Sequence, residues 1–134
     1  MSLYSPGGGG TAATQAEQEA ASSTTVFVTP GRQHFHPSAC KAWCEFDSTG
    51  TPAILASYNT SSLTDNGTGD ITVNWDTDFS SDTYCVLALS SSTLLASNDG
   101  ANLTVGAARF QFAANLTGTL TDTARNFVAA FGDQ

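Results

Sequence analysis

From Ala39 to the C-terminus the chain is a succession of short apolar segments, each broken off by turn-forming residues, and this pattern limits the fold more than any other feature. Ala39-Cys40-Lys41-Ala42-Trp43-Cys44-Glu45-Phe46 alternates as a half-buried strand does, and Asp47 to Thr51 follow it as a turn. The same reading gives strands at Ala53 to Tyr58, Leu63-Thr64, Ile71 to Trp75, Tyr84 to Ser90, Thr93 to Ser97, Leu103 to Phe112 and Asn126 to Phe131. Turns are expected at Asp65-Asn66-Gly67, Ser81-Asp82, Asn98-Asp99-Gly100 and Thr117-Gly118-Thr119. Short strands at regular spacing predict an antiparallel sandwich or barrel.

The N-terminal part reads differently. Gly7 to Gly10 form a flexible leader. Thr11 to Ala21, rich in Ala, Gln and Glu, is a strong local helix former; Thr11 or Thr14 can cap it, and Thr14 with Glu17 fits a capping box. Its apolar face consists of alanines alone, so the helix needs other copies or a neighbouring protein to pack against. Thr24 to Thr29 reads as a short extended segment ended by the turn pair Pro30-Gly31. The division is therefore residues 1–38, a leader with helix and extended segment, and residues 39–134, a β domain.

Charge narrows the function. The 12 acids and 4 bases give a net charge of −8, and Lys41, Arg32, Arg109 and Arg125 are scattered, so no basic patch exists for nucleic acid. Only 12% of residues are charged, against about a quarter in typical soluble domains; Ser, Thr, Asn and Gly fill the polar positions, as suits exposed strands and turns. No apolar run reaches the roughly 18 residues that a membrane span needs, so no membrane insertion is expected. Met1 to Pro6 lacks the basic and apolar stretches of a secretory signal, which points to synthesis in the cytoplasm.

His36-Pro37-Ser38-Ala39-Cys40-Lys41-Ala42-Trp43, preceded by Val28-Thr29-Pro30-Gly31-Arg32 and followed by Ser57-Tyr58-Asn59 and Asp65-Asn66-Gly67-Thr68-Gly69-Asp70, carries a resemblance. Together with Ala13-Thr14-Gln15-Ala16-Glu17, these pieces resemble the C-terminal part of tail fibre proteins of bacteriophages and prophages, from about residue 12 to Gln134. The resemblance implies a homotrimer, intertwined or packed side by side, on the virion tail. It implies attachment to other tail or baseplate proteins through the N-terminal segment, for which Thr14, Gln15, Glu17, Val28 and Pro30 are the candidate residues. The distal β domain would bind a host surface glycan or protein, its receptor residues unspecified. A non-receptor virion role, as a capsid decoration trimer or baseplate component, is the alternative. Cys40 and Cys44 depart from the aliphatic residues usual in such fibres.

Independently of the resemblance, Val86-Leu87-Ala88-Leu89 and Phe127-Val128-Ala129-Ala130-Phe131 are apolar at consecutive positions, which implies strands covered on both faces and hence a subunit interface.

No enzyme is expected. The chain has no Gly-x-Ser-x-Gly elbow, phosphate loop or His-Glu-x-x-His helix. The carboxylate pairs Asp76/Asp78 and Asp65/Asp70, which glycoside hydrolysis would require, read as turn formers. Cys40, Cys44 and Cys85, an odd set, read as buried reduced thiols, since a zinc site would need a fourth ligand. His34-Phe35-His36 on a strand would point both imidazoles one way. By resemblance to some phage spikes and fibre tips, three copies could then surround an iron-like metal; the plainer reading is a surface residue and a junction residue, with no metal or other cofactor. Asp65 to Asp70 reads as a turn and not a calcium loop. Trp43, Tyr58, Trp75 and Tyr84 could stack on a sugar but are expected in the core; loops 47–51, 76–83 and 98–102 are the better glycan candidates.

Overall fold

The computed structural model describes residues 10–92, 94–98, 102–114 and 117–134. The expected leader at 7–9, most of the turn at 98–100 and the first residue of the expected 93–97 strand lie outside the described residues. The chain divides into two compact units, Met1–Ala39 and Cys40–Gln134.

In the first unit, helix α1 spans Gln15–Ala20. It starts later than the alanine pattern suggests because the backbone before it is engaged elsewhere: Ala13 N donates to Phe27 O and Phe27 N to Thr11 O, a parallel bridge that holds residues 11–13 extended. Thr14 then caps the helix, its hydroxyl accepting from Glu17 N and its own N–H donating to the Glu17 carboxylate, the predicted capping box. Ala21 ends it in the left-handed conformation. Of the expected Thr24 to Thr29 segment, only Phe27 makes a ladder contact. Pro30 opens a 3-10 helix, Pro30–Phe35, where its fixed φ suits the first turn, and α1 packs against this helix.

The second unit is mainly β, with two antiparallel sheets. The strands are β1 (Ala42–Asp47), β2 (Ala53–Tyr58), β3 (Thr60–Gly67), β4 (Asp70–Trp75), β5 (Cys85–Ser90), β6 (Leu94–Ser97), β7 (Leu103–Thr104), β8 (Ala107–Ala114) and β9 (Asn126–Phe131). One sheet runs β2-β1-β9-β5; the other runs β3-β4-β8-β6, with β7 also paired to β8. β2 and β9 have the bounds the sequence predicts. The Leu103 to Phe112 segment is instead cut at Val105-Gly106, the two-residue turn at which β7 folds back antiparallel onto β8. Asp65-Asn66-Gly67 is not the turn but the end of β3. The chain reverses at Thr68-Gly69, and Asp65 Oδ1 takes the Gly67 N–H at 2.9 Å. Gly69 is obligatory there: its φ is +64°, and a Cβ would stand 2.4 Å from Thr121 N.

Both sheets contribute to one core. Ala42, Cys44 and Phe46 of β1 and Val128 and Ala130 of β9 join Ile71, Val73 and Trp75 of β4 and Ala108, Phe110 and Phe112 of β8 in a single buried cluster. Phe46 and Phe112 meet edge to face, their centroids 6.0 Å apart.

At one end of the unit a buried polar cluster of four side chains ties three pieces of chain together. Asn126, fully buried, donates to Ser48 Oγ at 3.1 Å and to Thr123 O at 3.2 Å, and its Oδ1 accepts from Thr123 Oγ1 at 2.7 Å. Ser90 Oγ joins through Thr123 Oγ1 at 2.9 Å, Ser48 N donates to Thr123 O, and Thr123 N donates to Ser48 Oγ at 2.9 Å. At the other end, Tyr84 OH accepts from Trp75 Nε1 and donates toward the carbonyls of Thr104 and Ala107. Its ring stacks on Phe79 at 4.0 Å, and burial pushes the phenol pKa up.

Candidate functional site

The two sheets differ on the faces turned away from the core. Along β1, Ala42, Cys44 and Phe46 point inward, so Trp43, Glu45 and Asp47 point outward. Register carries this parity across the sheet: Trp43 lies opposite Tyr58 of β2 and Ala129 of β9, and Ala129 lies opposite Leu87 of β5. One row across four strands is therefore Leu87, Ala129, Trp43, Tyr58. The next row is Leu89, Phe127, Glu45, Ala56. Leu87 and Leu89 are 58% and 70% exposed, and Trp43, Tyr58 and Phe127 are exposed as well. Glu45 is the charged residue among these eight, and Arg125 Nη1 is hydrogen-bonded to it.

The run Val86 to Leu89, for which a subunit interface is the expected cover, is left open on its outer face by the chain itself: β5 is an edge strand whose residues alternate between half-buried and exposed. One expectation is corrected. Trp43 and Tyr58 are not core aromatics, whereas Trp75 is buried and Tyr84 is half-buried against the core, as expected. A consecutive apolar run signals two apolar faces but not what covers the second one.

The outer face of the other sheet is polar and internally bonded. Asn74 Nδ2 donates to Ser62 Oγ at 3.1 Å and Thr64 Oγ1 at 3.0 Å, and Asn66 Nδ2 to Thr72 Oγ1 at 2.9 Å. Asp70 receives both Arg109 Nε and Nη2 at 2.7 Å and Gln111 Nε2 at 2.9 Å. The Arg109 guanidinium, helped by Gln111 and Asn66, holds the Asp70 carboxyl below the usual carboxylate range despite its burial. The Asp65/Asp70 pair thus separates, Asp65 holding its own turn and Asp70 its ion pair. Asp76 and Asp78 lie exposed in the bend after β4.

The residues proposed for attachment fall into two groups. Thr14, Gln15 and Glu17 serve the helix itself: Thr14 and Glu17 form the cap, which keeps the Glu17 pKa low, and Gln15 Nε2 donates to Glu19 Oε1 at 2.7 Å. Val28 and Pro30 line a cavity of about 520 Å³ with Gln18, Thr29, Gln33, His36, Ser38 and Ala39. Glu17 borders a smaller neighbouring cleft, which Val28 also lines.

His34 lies in the 3-10 helix and His36 caps it, so the strand geometry that would align their imidazoles does not occur. Their neighbours impose this: Pro30 starts the tight turn, and His36 Nδ1 accepts from Ser38 N at 3.2 Å with Ser38 Oγ at 2.7 Å. Among the described residues, no group of three or more His, Cys, Asp or Glu converges as metal ligands would. All three cysteines are free thiols. Cys44 is buried, which pushes its pKa up to about 11. Cys40 is half-buried, its thiol directed at Ala42 O, and Cys85 is exposed at the start of β5, contrary to the expectation of burial.

Fold and surface together define a mainly β protein of two antiparallel sheets preceded by a small helical unit, with one sheet face left apolar. No protein-family model, curated protein or solved structure matches the chain. No helix among the described residues is long and apolar enough to cross a membrane.

Proposed function

We propose that this chain is a bacteriophage tail-fibre protein: a homotrimer on the virion tail, made in the bacterial host cytoplasm, whose β unit attaches to the host cell surface. The observation that carries the reading is the order of its parts. The capped helix, the Val28-Thr29-Pro30 junction and the His36-Pro37-Ser38-Ala39-Cys40-Lys41-Ala42-Trp43 run lead directly into the two-sheet unit, in the sequence that tail fibres use. In this reading the two sheets form a sandwich, and residues 1–38, with Val28 and Pro30 in their cavity, dock on tail or baseplate proteins. The β unit carries no catalytic step. Adhesion needs none, because three copies on one axis multiply weak contacts with a surface glycan or protein through effective concentration.

Whole-cell binding tests the proposal. Fluorescently labelled protein should be retained on a subset of bacterial strains in a panel, with unlabelled protein competing. Uniform absence of retention, together with antibody labelling of phage heads or baseplates and not of fibres, would replace it with the decoration or baseplate role.

A further inference from the structure

We propose that the outer face of the β2-β1-β9-β5 sheet, centred on Trp43, Tyr58, Leu87, Leu89, Phe127 and Ala129, is where this chain packs against further copies of itself. The assignment of three copies rests on the fibre reading; the assignment of the face does not.

Size comes first. With side chains that bury roughly 150–250 Å² each when covered, the five large exposed residues leave on the order of 500 Å² of apolar surface open. That is comparable to the largest apolar patch of a typical soluble monomer, and such patches are often functional. With the smaller residues between and around them, the face supplies much of the roughly 800 Å² per partner of a stable interface. The patch is continuous: strands about 4.8 Å apart place the row Leu87, Ala129, Trp43, Tyr58 across the full width of the sheet, and the row of Leu89 and Phe127 lies one side-chain repeat further along.

Charge identifies the occupant. A chain of net charge −8 repels its own copies over most of its surface. Within the two rows the one charged side chain, Glu45, is held by Arg125, so copies meeting along them bring no unpaired charge together; Asp47, one step beyond, lies at the edge of the patch. A glycan is the wrong match despite Trp43 and Tyr58. A sugar needs a few free, precisely placed polar groups beside the stacking ring, whereas here the neighbours are leucines, alanines and a phenylalanine, the Glu45 carboxylate is taken by Arg125, and the Asp47 carboxylate by Thr49 N and Oγ1. On the outer face of β3, β4 and β8 the described polar side chains are instead bonded to one another.

Light scattering on the full chain tests this, beside the double variant L87E/L89E and a control on the polar face, Thr64→Glu. The unaltered chain and the control should show three times the mass of one chain, and the double variant should show the mass of one chain with the near-UV circular dichroism of the Trp75, Phe79 and Tyr84 cluster unchanged. A double variant that keeps the trimeric mass overturns the face and leaves the trimer standing. A dimer split by the double variant supports the face and overturns the number three, while a monomeric unaltered chain overturns both. Should the double variant unfold, dilution of the unaltered chain decides, read against Trp43→Phe, which isolates the signal of buried Trp75. Trp43 emission moving to the red as the mass falls supports the face, and emission constant through dissociation overturns it.

Discussion

The two sheets carry the same core between them and opposite outer faces, and the difference lies in how each disposes of its outward side chains. On β3, β4 and β8 the outward residues, apart from Ala107 and Ala113, are Ser, Thr, Asn, Asp, Arg and Gln, and these polar groups bond to one another within one chain. On β1, β9 and β5 the outward residues are Trp43, Phe127, Leu87 and Leu89, which no side chain of the same sheet can satisfy. A sheet face bonded to itself contributes to the stability of the chain; an apolar one contributes only when something covers it.

Substitutions can break this comparison. The largest effect belongs to neither face but to the core beneath both: Phe112→Ala should cost about 3–5 kcal/mol by chemical denaturation, the usual range for deleting a buried phenylalanine. Should it cost less than Asp70→Ala, the sheets do not share one core. Asn126→Ala should cost about 2–3 kcal/mol by the same measurement, because Ser48 and Thr123 lose a buried partner. Asp70→Ala should cost about 1–2 kcal/mol, discounted because the Arg109 side chain is 39% exposed, and should leave the mass of the assembly unchanged. Leu89→Ser should change the stability of the separated chain by less than about 0.5 kcal/mol, as an exposed position does, while weakening assembly. If Leu89→Ser destabilises the chain more than Asp70→Ala does, the contrast between the faces is wrong.

Acid sharpens the same contrast. The folded pKa of Asp70 lies below its unfolded value, so its contribution is present in full above the ordinary carboxylate range and fades as pH falls through the lowered folded value. Melting temperatures between neutral pH and strongly acidic pH should therefore fall more steeply for the unaltered chain than for Asp70→Asn. Parallel curves would remove the ion pair from the account of the polar face.

Much of the β unit is legible in the sequence because each strand states its own parity. Ala53 to Tyr58 and Asn126 to Phe131 are bounded on both sides by turn residues, and their ends can be read to the residue. The capping box is equally local, Thr14 and Glu17 lying three residues apart. What is not legible depends on partners far along the chain. Ser48 and Asn126 are small polar residues 78 positions apart, and nothing in either neighbourhood shows that both are buried. Thr11 to Ala13 look helical until the pairing with Phe27 is known. His34 and His36 look like a strand pair because Pro30-Gly31 reads as a turn, when Pro30 in fact opens a 3-10 helix that takes in His34 and ends before His36. The outer apolar face was implied by the run at 86–89, but only register shows that Trp43 and Tyr58 extend it.

One residue, Asn59, stands between the last residue of β2 in one sheet and the first of β3 in the other. It adopts a φ of +52°, and its carboxamide donates to Lys41 O and Thr77 O, both at 3.2 Å, and accepts Thr77 N at 2.6 Å. Such a join has no slack. Directly beyond it the ladder to β4 skips Ser61, a bulge between Thr60 and Ser62, so the alternation that turns Leu63 toward the core and Ser62, Thr64 and Asn66 outward is set inside β3 and not at the join. The corner is therefore held by the bonds of one carboxamide, while the parity of the strand that follows is held by the bulge beside it.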